Sequence, residues 1–280
     1  MPIYYEIDHV PDILDGIPPG TNEYHYGGID HYKQILNLKS NRPDKGTDFI
    51  IFFDVNEDVF TNKIQTLEEK PPISAYDPIK SILLLKMTTQ VHEQAAQGIT
   101  AMIQEEILEM GLSDNMCFIG SAQVQTQSRQ KKADQEYVPV ELPKGRTRKW
   151  PSAVVETGYS ESKSKLQTDA QWWLAESNGE VRTALTISVH QKKEEIVLQK
   201  WEMMERPTRE NPDRHAPVMM QQVVMSRRPG EGAIHISNAP LRIAFESLFL
   251  RPAGESERDI LFTEKSLKSL ATKVWVVQQL

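Results

Sequence analysis

One acid stands alone in an apolar run that leads straight into a helix, and this arrangement constrains the fold more than any other stretch of the chain. The run is Pro151-Ser-Ala-Val-Val-Glu-Thr-Gly-Tyr-Ser-Glu-Ser162, continuing into Leu166-Gln-Thr-Asp-Ala-Gln-Trp-Trp-Leu174. Val154 and Val155 favour a strand, and Gly158, Tyr159 and Ser160 favour the turn after it. A carboxylate such as Glu156 is costly to bury there without a cation or hydrogen-bond donors. Strand ends are also where α/β proteins place their chemistry. Glu156 is therefore either a functional acid or an acid that caps or pairs at a strand edge.

A chain of 280 residues forms one large domain or a domain with appendages. Its 39% hydrophobic and 25% charged residues are ordinary for a globular protein. No apolar run approaches the roughly 20 residues of a membrane-spanning helix. Phe49-Ile-Ile-Phe-Phe53 and Ile82-Leu-Leu-Leu85 are strand-sized. The stretch from Met1 to Asp8 has neither the basic nor the apolar region of a secretory signal. Cys117 is the single cysteine, which excludes an internal disulfide and a cysteine-based zinc site. The expected location is intracellular, cytoplasm or nucleus, with no membrane partner.

The net charge of −7 is unevenly spread. Residues 1–80 hold 14 acids and 7 bases, whereas residues 81–280 hold 25 of each. Within the neutral part, Arg129, Lys131, Lys132, Lys144, Arg146, Arg148 and Lys149 outnumber Asp134, Glu136 and Glu141. Such a basic 129–149 segment suits contact with the phosphates of DNA or RNA, or a solvated hairpin.

Residues 1–80 are rich in proline and glycine and read as a loop-rich acidic N-terminal elaboration. Phe49 to Val55 is the one clear strand there, with Tyr4, Tyr5, Tyr24, Tyr26 and Tyr32 as aromatic anchors. From Thr89 to Met110 the apolar residues Val91, Ala95, Ile99, Met102, Ile103 and Ile107 recur at helical spacing, and Gly111 is a suitable stop. Strands are expected over 116–124, 134–142 and 152–157, with a basic turn at Arg129–Lys132. A helix over 163–176 follows, then a hairpin from 181–190 and 194–201 around Gln191-Lys-Lys193. Residues 206–214 read as a polar loop, Ala233–Ser237 and Arg242–Leu250 as strands, and Thr263–Gln279 as an amphipathic helix with Leu267, Leu270, Ala271 and Val274 inward. The expected class is α/β or α+β, a central mixed β-sheet flanked by helices. The core spans 81–205, and the strands and helix of 206–280 pack on it.

With the elements placed, three acids stand out: Glu93 on the first helix, Asp134 after the basic turn, and Glu156 in the third strand. The stretches Lys86-Met-Thr-Thr-Gln-Val-His-Glu93, Lys132-Ala-Asp134, Trp150–Ser160 and Asp169-Ala-Gln-Trp-Trp-Leu174 carry a resemblance over roughly residues 80–202. The chain resembles the PD-(D/E)XK nuclease-like superfamily, whose restriction-endonuclease-like core runs α-β-β-β-α-β. It is similar in particular to fungal proteins of uncharacterised role that carry such a domain, and more distantly to bacterial restriction-endonuclease families. The resemblance implies a Mg²⁺-dependent (or Mn²⁺-dependent) nuclease acting on nucleic-acid phosphodiesters. Asp134 and Glu156 would hold the metal, and Glu93 would be a supporting acid. Hard cations prefer oxygen ligands and stabilise charge developing on a phosphate. The chain departs from the pattern in having Ala133 before the Asp, and Gly158 where the motif lysine would stand two positions after the Glu. Lys163 is the first candidate for the displaced amine, Lys165 the second, and Asp169 a further group facing the site. The alternatives are an inactive nuclease-fold binding module and a repurposed enzyme acting on a small substrate.

The seven histidines, His92 and His190 among them, form no metal-ligating spacing and read as structural or surface groups. Trp172-Trp173 suits core packing or base stacking, and Lys192-Lys193-Glu194-Glu195 a solvated turn. Neither Gly27-Gly28 nor Gly230-Glu-Gly232 is a phosphate loop.

Overall fold

The computed structural model describes residues 9–40, 47–120, 123–159, 163–209, 214–230 and 232–279. Tyr4, Tyr5 and the turn residues Ser160, Glu161 and Ser162 lie outside them. In chain order the elements are β1 (Asn22–His25), α1 (Ile29–Ser40), β2 (Phe49–Phe53), the single turn α2 (Glu57–Val59), β3 (Ile73–Asp77), β4 (Ile82–Lys86) and α3 (Gln90–Glu109). Then come β5 (Met116–Ile119), β6 (Gln123–Gln125), β7 (Gln130–Lys132), β8 (Gln135–Pro139), β9 (Ala153–Gly158), α4 (Lys163–Glu176), β10 (Thr183–Val189) and β11 (Glu195–Glu205). The chain continues through β12 (His215–Ser226), β13 (His235–Ser237), β14 (Leu241–Ile243), α5 (Phe245–Phe249), β15 (Ile260–Phe262) and α6 (Glu264–Gln278).

Two mixed sheets with flanking helices make this an α+β protein. The larger sheet runs β13-β12-β11-β10-β9-β8-β5, with β9 and β10 parallel and the other pairs antiparallel. The elements α3, β5, β8, β9, α4 and β10 give the expected α-β-β-β-α-β order about it. Strand side chains alternate between faces. Val155, Leu185 and Ile187 accordingly join the core with α3 and α6, whereas Val154 and Ala184 join Trp172, Trp173 and Ala170 of α4 on the other side.

The described part of the N-terminal segment is more than loops. It builds the smaller sheet, β1-β2-β4-β3-β7-β6, which also takes β4, β6 and β7 from beyond residue 80. Its core is Phe49, Ile51, Ala75 and Leu84 on one face and Ile50, Phe52, Tyr76 and Leu85 on the other. Three other expectations are corrected. The 116–124 strand is broken into β5 and β6, which belong to different sheets. The basic turn at Arg129–Lys132 is largely strand β7, antiparallel to β3. The expected Arg242–Leu250 strand is β14 followed by helix α5, with Leu250 at φ 59° ending it. Strand β12, a 12-residue partner of β11, was not anticipated; only Val223 and Met225 of it are buried, and its first half has no alternation to betray it.

Helices α3, α4 and α6 lie where periodicity put them, whereas α1 was not anticipated. Thr89 caps α3 by accepting from the His92 N–H. Leu267, Leu270, Ala271 and Val274 of α6 are buried, and a side chain at Gly98 of α3 would collide with Leu270, so the two helices approach closely there. Among the described residues, no helix is long and apolar enough to cross a membrane.

Candidate functional site

The site is assembled on the α4-facing side of the larger sheet. Antiparallel pairing aligns Gln135 with Val155 and Glu136 with Val154. Continuing that register by one residue sets Asp134 opposite Glu156, and the Asp134 N–H donates to the Val155 carbonyl at 3.1 Å. Across β9 and β10 Glu156 is partnered by Thr186, which aligns with Gln199 of β11, which aligns with Gln222 of β12. Thr186 donates to Gln199 at 3.3 Å, and Gln199 to Gln222 at 2.8 Å. A polar row thus crosses the α4-facing side of the sheet from Asp134 to Gln222.

At the inner end of this row three lysines meet three carboxylates. Lys86, the last residue of β4, lies 2.8 Å from Asp134 Oδ2 and 3.8 Å from Glu156 Oε2. Lys131 of β7 reaches Glu156 Oε1 at 3.1 Å and Asp169 Oδ1 at 2.9 Å. Lys165 holds the same Asp169 oxygen at 2.9 Å and donates to the Ile13 carbonyl at 3.2 Å. The Trp173 indole N–H donates to Glu156 Oε1 at 2.7 Å, the Thr157 N–H to Asp134 Oδ2 at 2.6 Å, and His92 Nε2 lies 3.3 Å from Asp134 Oδ1. Lys131 and Glu156 keep only 1% and 3% of their side-chain surface exposed.

Burial and pairing pull these groups in different directions. Burial alone would raise Asp134, but Lys86 and His92 outweigh it and hold the carboxyl below its usual range. Burial raises Glu156, with Lys131 opposing and Asp169 and Asp134 adding to it. Asp169 is held at about 2 by Lys131 and Lys165 against its own burial. Lys131 and Lys86 are desolvated, yet their carboxylates keep both ammoniums above the usual value. Glu136, on β8, is different. Burial, with Glu156 nearby, pushes it up to about 8, and its Oε1 has no hydrogen-bond partner among the described residues.

A hard divalent ion needs free oxygen ligands and room for water. Here the Asp134 and Glu156 oxygens already face Lys86, Lys131, His92, Trp173 or the Thr157 N–H. Among the described residues, no group of three or more His, Cys, Asp or Glu side chains is placed to hold a metal. The donor set as arranged does not fit Mg²⁺ or Mn²⁺.

Asp134 and Glu156 come together around one ammonium, and Asp169 joins them, but two of the residues chosen with them lie elsewhere. Glu93 is exposed on α3, and its neighbour His92, buried to 2%, faces Asp134 instead. Lys163 is 63% exposed and lies 3.8 Å from Glu195. The inward lysine of α4 is Lys165. The sequence reading missed Lys86 and Lys131 as site residues. Their signal was a lysine ending or interrupting short strands, which looks the same as a solvated one. The basic segment is reduced as well. Arg129 and Lys131 are buried, Arg129 lying over Trp172 and donating to the Pro11 carbonyl, while Lys144, Arg148 and Lys149 remain exposed. Trp172 and Trp173 are core residues.

No protein-family model matches the chain, and no curated protein matches it. Among solved structures it is similar to a crystal structure of a candidate nuclease belonging to DUF820 from Anabaena variabilis ATCC 29413. Identity is 11% and the TM-score 0.36, over 76% of this chain and 97% of that one.

Proposed function

We propose that this chain is a restriction-endonuclease-like protein that binds nucleic acid without cutting it, its acid pair having become an internal charge clamp. The observation that carries this reading is the matching of Asp134, Glu156 and Asp169 by Lys86, Lys131 and Lys165 inside the protein. Support for the nuclease ancestry is the α-β-β-β-α-β order, with Asp134 just before its second strand and Glu156 in its third. Contact with DNA or RNA falls to the exposed Lys144, Arg148 and Lys149, where Glu141 is the nearby exposed acid. Backbone contacts of this kind weaken steeply with salt.

A second reading rests on Lys86. It supplies an amine beside both acids, the group that Gly158 withholds. On that reading Asp134 and Glu156 would hold Mg²⁺, which would stabilise charge developing on a phosphate, and Lys86 would be the amine of the site. Incubating single- and double-stranded DNA and RNA with Mg²⁺ or Mn²⁺ separates the two. The expected result is binding without cleavage by wild type, and no difference in Mn²⁺ titrations between wild type and Asp134→Asn. Cleavage by wild type that disappears in Glu156→Gln and in Lys86→Ala would establish the nuclease reading instead.

A further inference from the structure

Residues 11–17 form a strap without helix or strand, laid between Arg129, which precedes β7 of the smaller sheet, and α4 of the larger. The strap satisfies its own N–H groups: Asp12 donates to Asp15 Oδ2 at 2.8 Å, Leu14 to Asp12 Oδ1 at 3.1 Å, and Ile17 to the Leu14 carbonyl at 3.2 Å. What it gives to the rest of the protein is carbonyl oxygens. Pro11 accepts from Arg129 Nη2 at 2.9 Å and Ile13 from Lys165 at 3.2 Å. Asp15 accepts from Thr168 and Gly16 from Ser164, both at 2.9 Å. Ile13 is the apolar anchor, buried with Phe49, Ile51 and Leu84.

Arg129 differs from the other buried cations. Lys86, Lys131 and Lys165 each have a carboxylate oxygen within 3.1 Å. Arg129, 5% exposed, is held by the neutral Pro11 carbonyl and by the face of Trp172, 5.2 Å from its Cζ. Its Nε has no hydrogen-bond partner among the described residues, although buried polar groups ordinarily have one. Burial holds the guanidinium below its ordinary value, with Asp169, Asp12, Asp77 and Glu176 opposing. A guanidinium fork matches the oxygens of a phosphate, and a hydrogen bond to a charged acceptor is about twice as strong as one to a carbonyl. The strap thus covers a cation that an anion would satisfy better.

We propose that Arg129 and Lys165 form a phosphate site which the strap fills with its own carbonyls, and which a nucleic-acid strand takes over when the strap lifts. Ser164 and Thr168 are the latch. The inference rests on the nucleic-acid reading above and adds a second contact to the exposed Lys144, Arg148 and Lys149. Strap and strand compete for the same donors, so a strap closed about nine-tenths of the time weakens binding about tenfold. Gly16 fits the strap to the latch. Its φ is 72°, and an added Cβ would stand 2.6 Å from the Ser164 carbonyl oxygen.

The experiment is titration of the whole chain, with EDTA present, using a DNA strand and inorganic phosphate as separate probes. Ser164→Ala with Thr168→Val unlatches the strap and leaves both cations in place, and Gly16→Val forces the strap off α4. Each should bind the strand about tenfold more tightly than wild type, and adding Arg129→Gln should remove the gain. In wild type, saturating strand should speed hydrogen exchange at the amides of 12–17. That exchange reading and the Ser164/Thr168 variant decide the matter even if Gly16→Val does not fold. A gain for inorganic phosphate alone would assign the site to free phosphate and overturn the strand as its occupant. If the strap variants melt as wild type does, bind the strand no more tightly, and exchange at 12–17 is unchanged by the strand, the strap is structural and this inference alone falls. If no form binds the strand, the nucleic-acid reading falls with it.

Discussion

Two polar regions share the α4-facing side of the larger sheet, and each sets lysines against carboxylates. Around Glu156 the lysines are sealed in: Lys131 and Lys165 keep 1% and 3% of their side-chain surface, and every charge has an internal partner. At Ser188 the lysine is on the surface, Lys163 being 63% exposed and 3.8 Å from Glu195. The same residue types thus do opposite work. Where a charged pair is dry, breaking it exposes the full desolvation cost of the remaining member. Where it is wet, the ion pair adds little to stability.

The largest expected effect tests the dry side. Lys131→Ala leaves Glu156 and Asp169 short of a cation, and a loss of about 3–5 kcal/mol is expected in urea unfolding. A loss under about 1 kcal/mol would mean that water reaches the cluster and that the contrast between the two regions is false.

Glu136 sharpens the comparison through pH. Its carboxyl titrates near 8 in the folded chain, against an ordinary 4.5. Between those values the folded state binds the extra proton, so this group's contribution to stability falls as pH rises through the window. Glu136→Gln should therefore gain on wild type by up to about 4 kcal/mol at pH 8 and show little difference near pH 4.5. Thermal melts at both pH values check it. A gain that does not change with pH would show that Glu136 is ionised in the folded protein.

Trp173→Phe keeps most of the ring but removes the N–H that Glu156 Oε1 accepts. A cost of about 1.5–3 kcal/mol is expected, as for a hydrogen bond to a charged acceptor. The smallest effect belongs to the wet side. Lys163→Ala should change unfolding free energy by no more than about 0.5 kcal/mol. A large destabilisation there would make Lys163 a structural ion-pair residue.

The sequence carried the elements whose pattern is local. The apolar spacing of α3 and α6, the all-buried run of β10 and the valines of β9 each announce themselves within a dozen residues. So did Glu156, a carboxylate inside a strand, and Asp134, just before one. Side-chain direction was a different matter. Lys163 and Lys165 differ by two helical positions, about 200° of rotation, and only the packing of α4 decides which one turns inward. His92 and Glu93 differ by about 100° on α3, with the same outcome. The cations that neutralise the acids come from β4 and β7, strands of the other sheet, and Lys86 reaches Asp134 across 48 positions of chain. No local pattern encodes such a pairing. Periodicity reports which residues are apolar, whereas the partner of a buried charge is fixed by long-range strand order and by the energetic demand that the charge be matched.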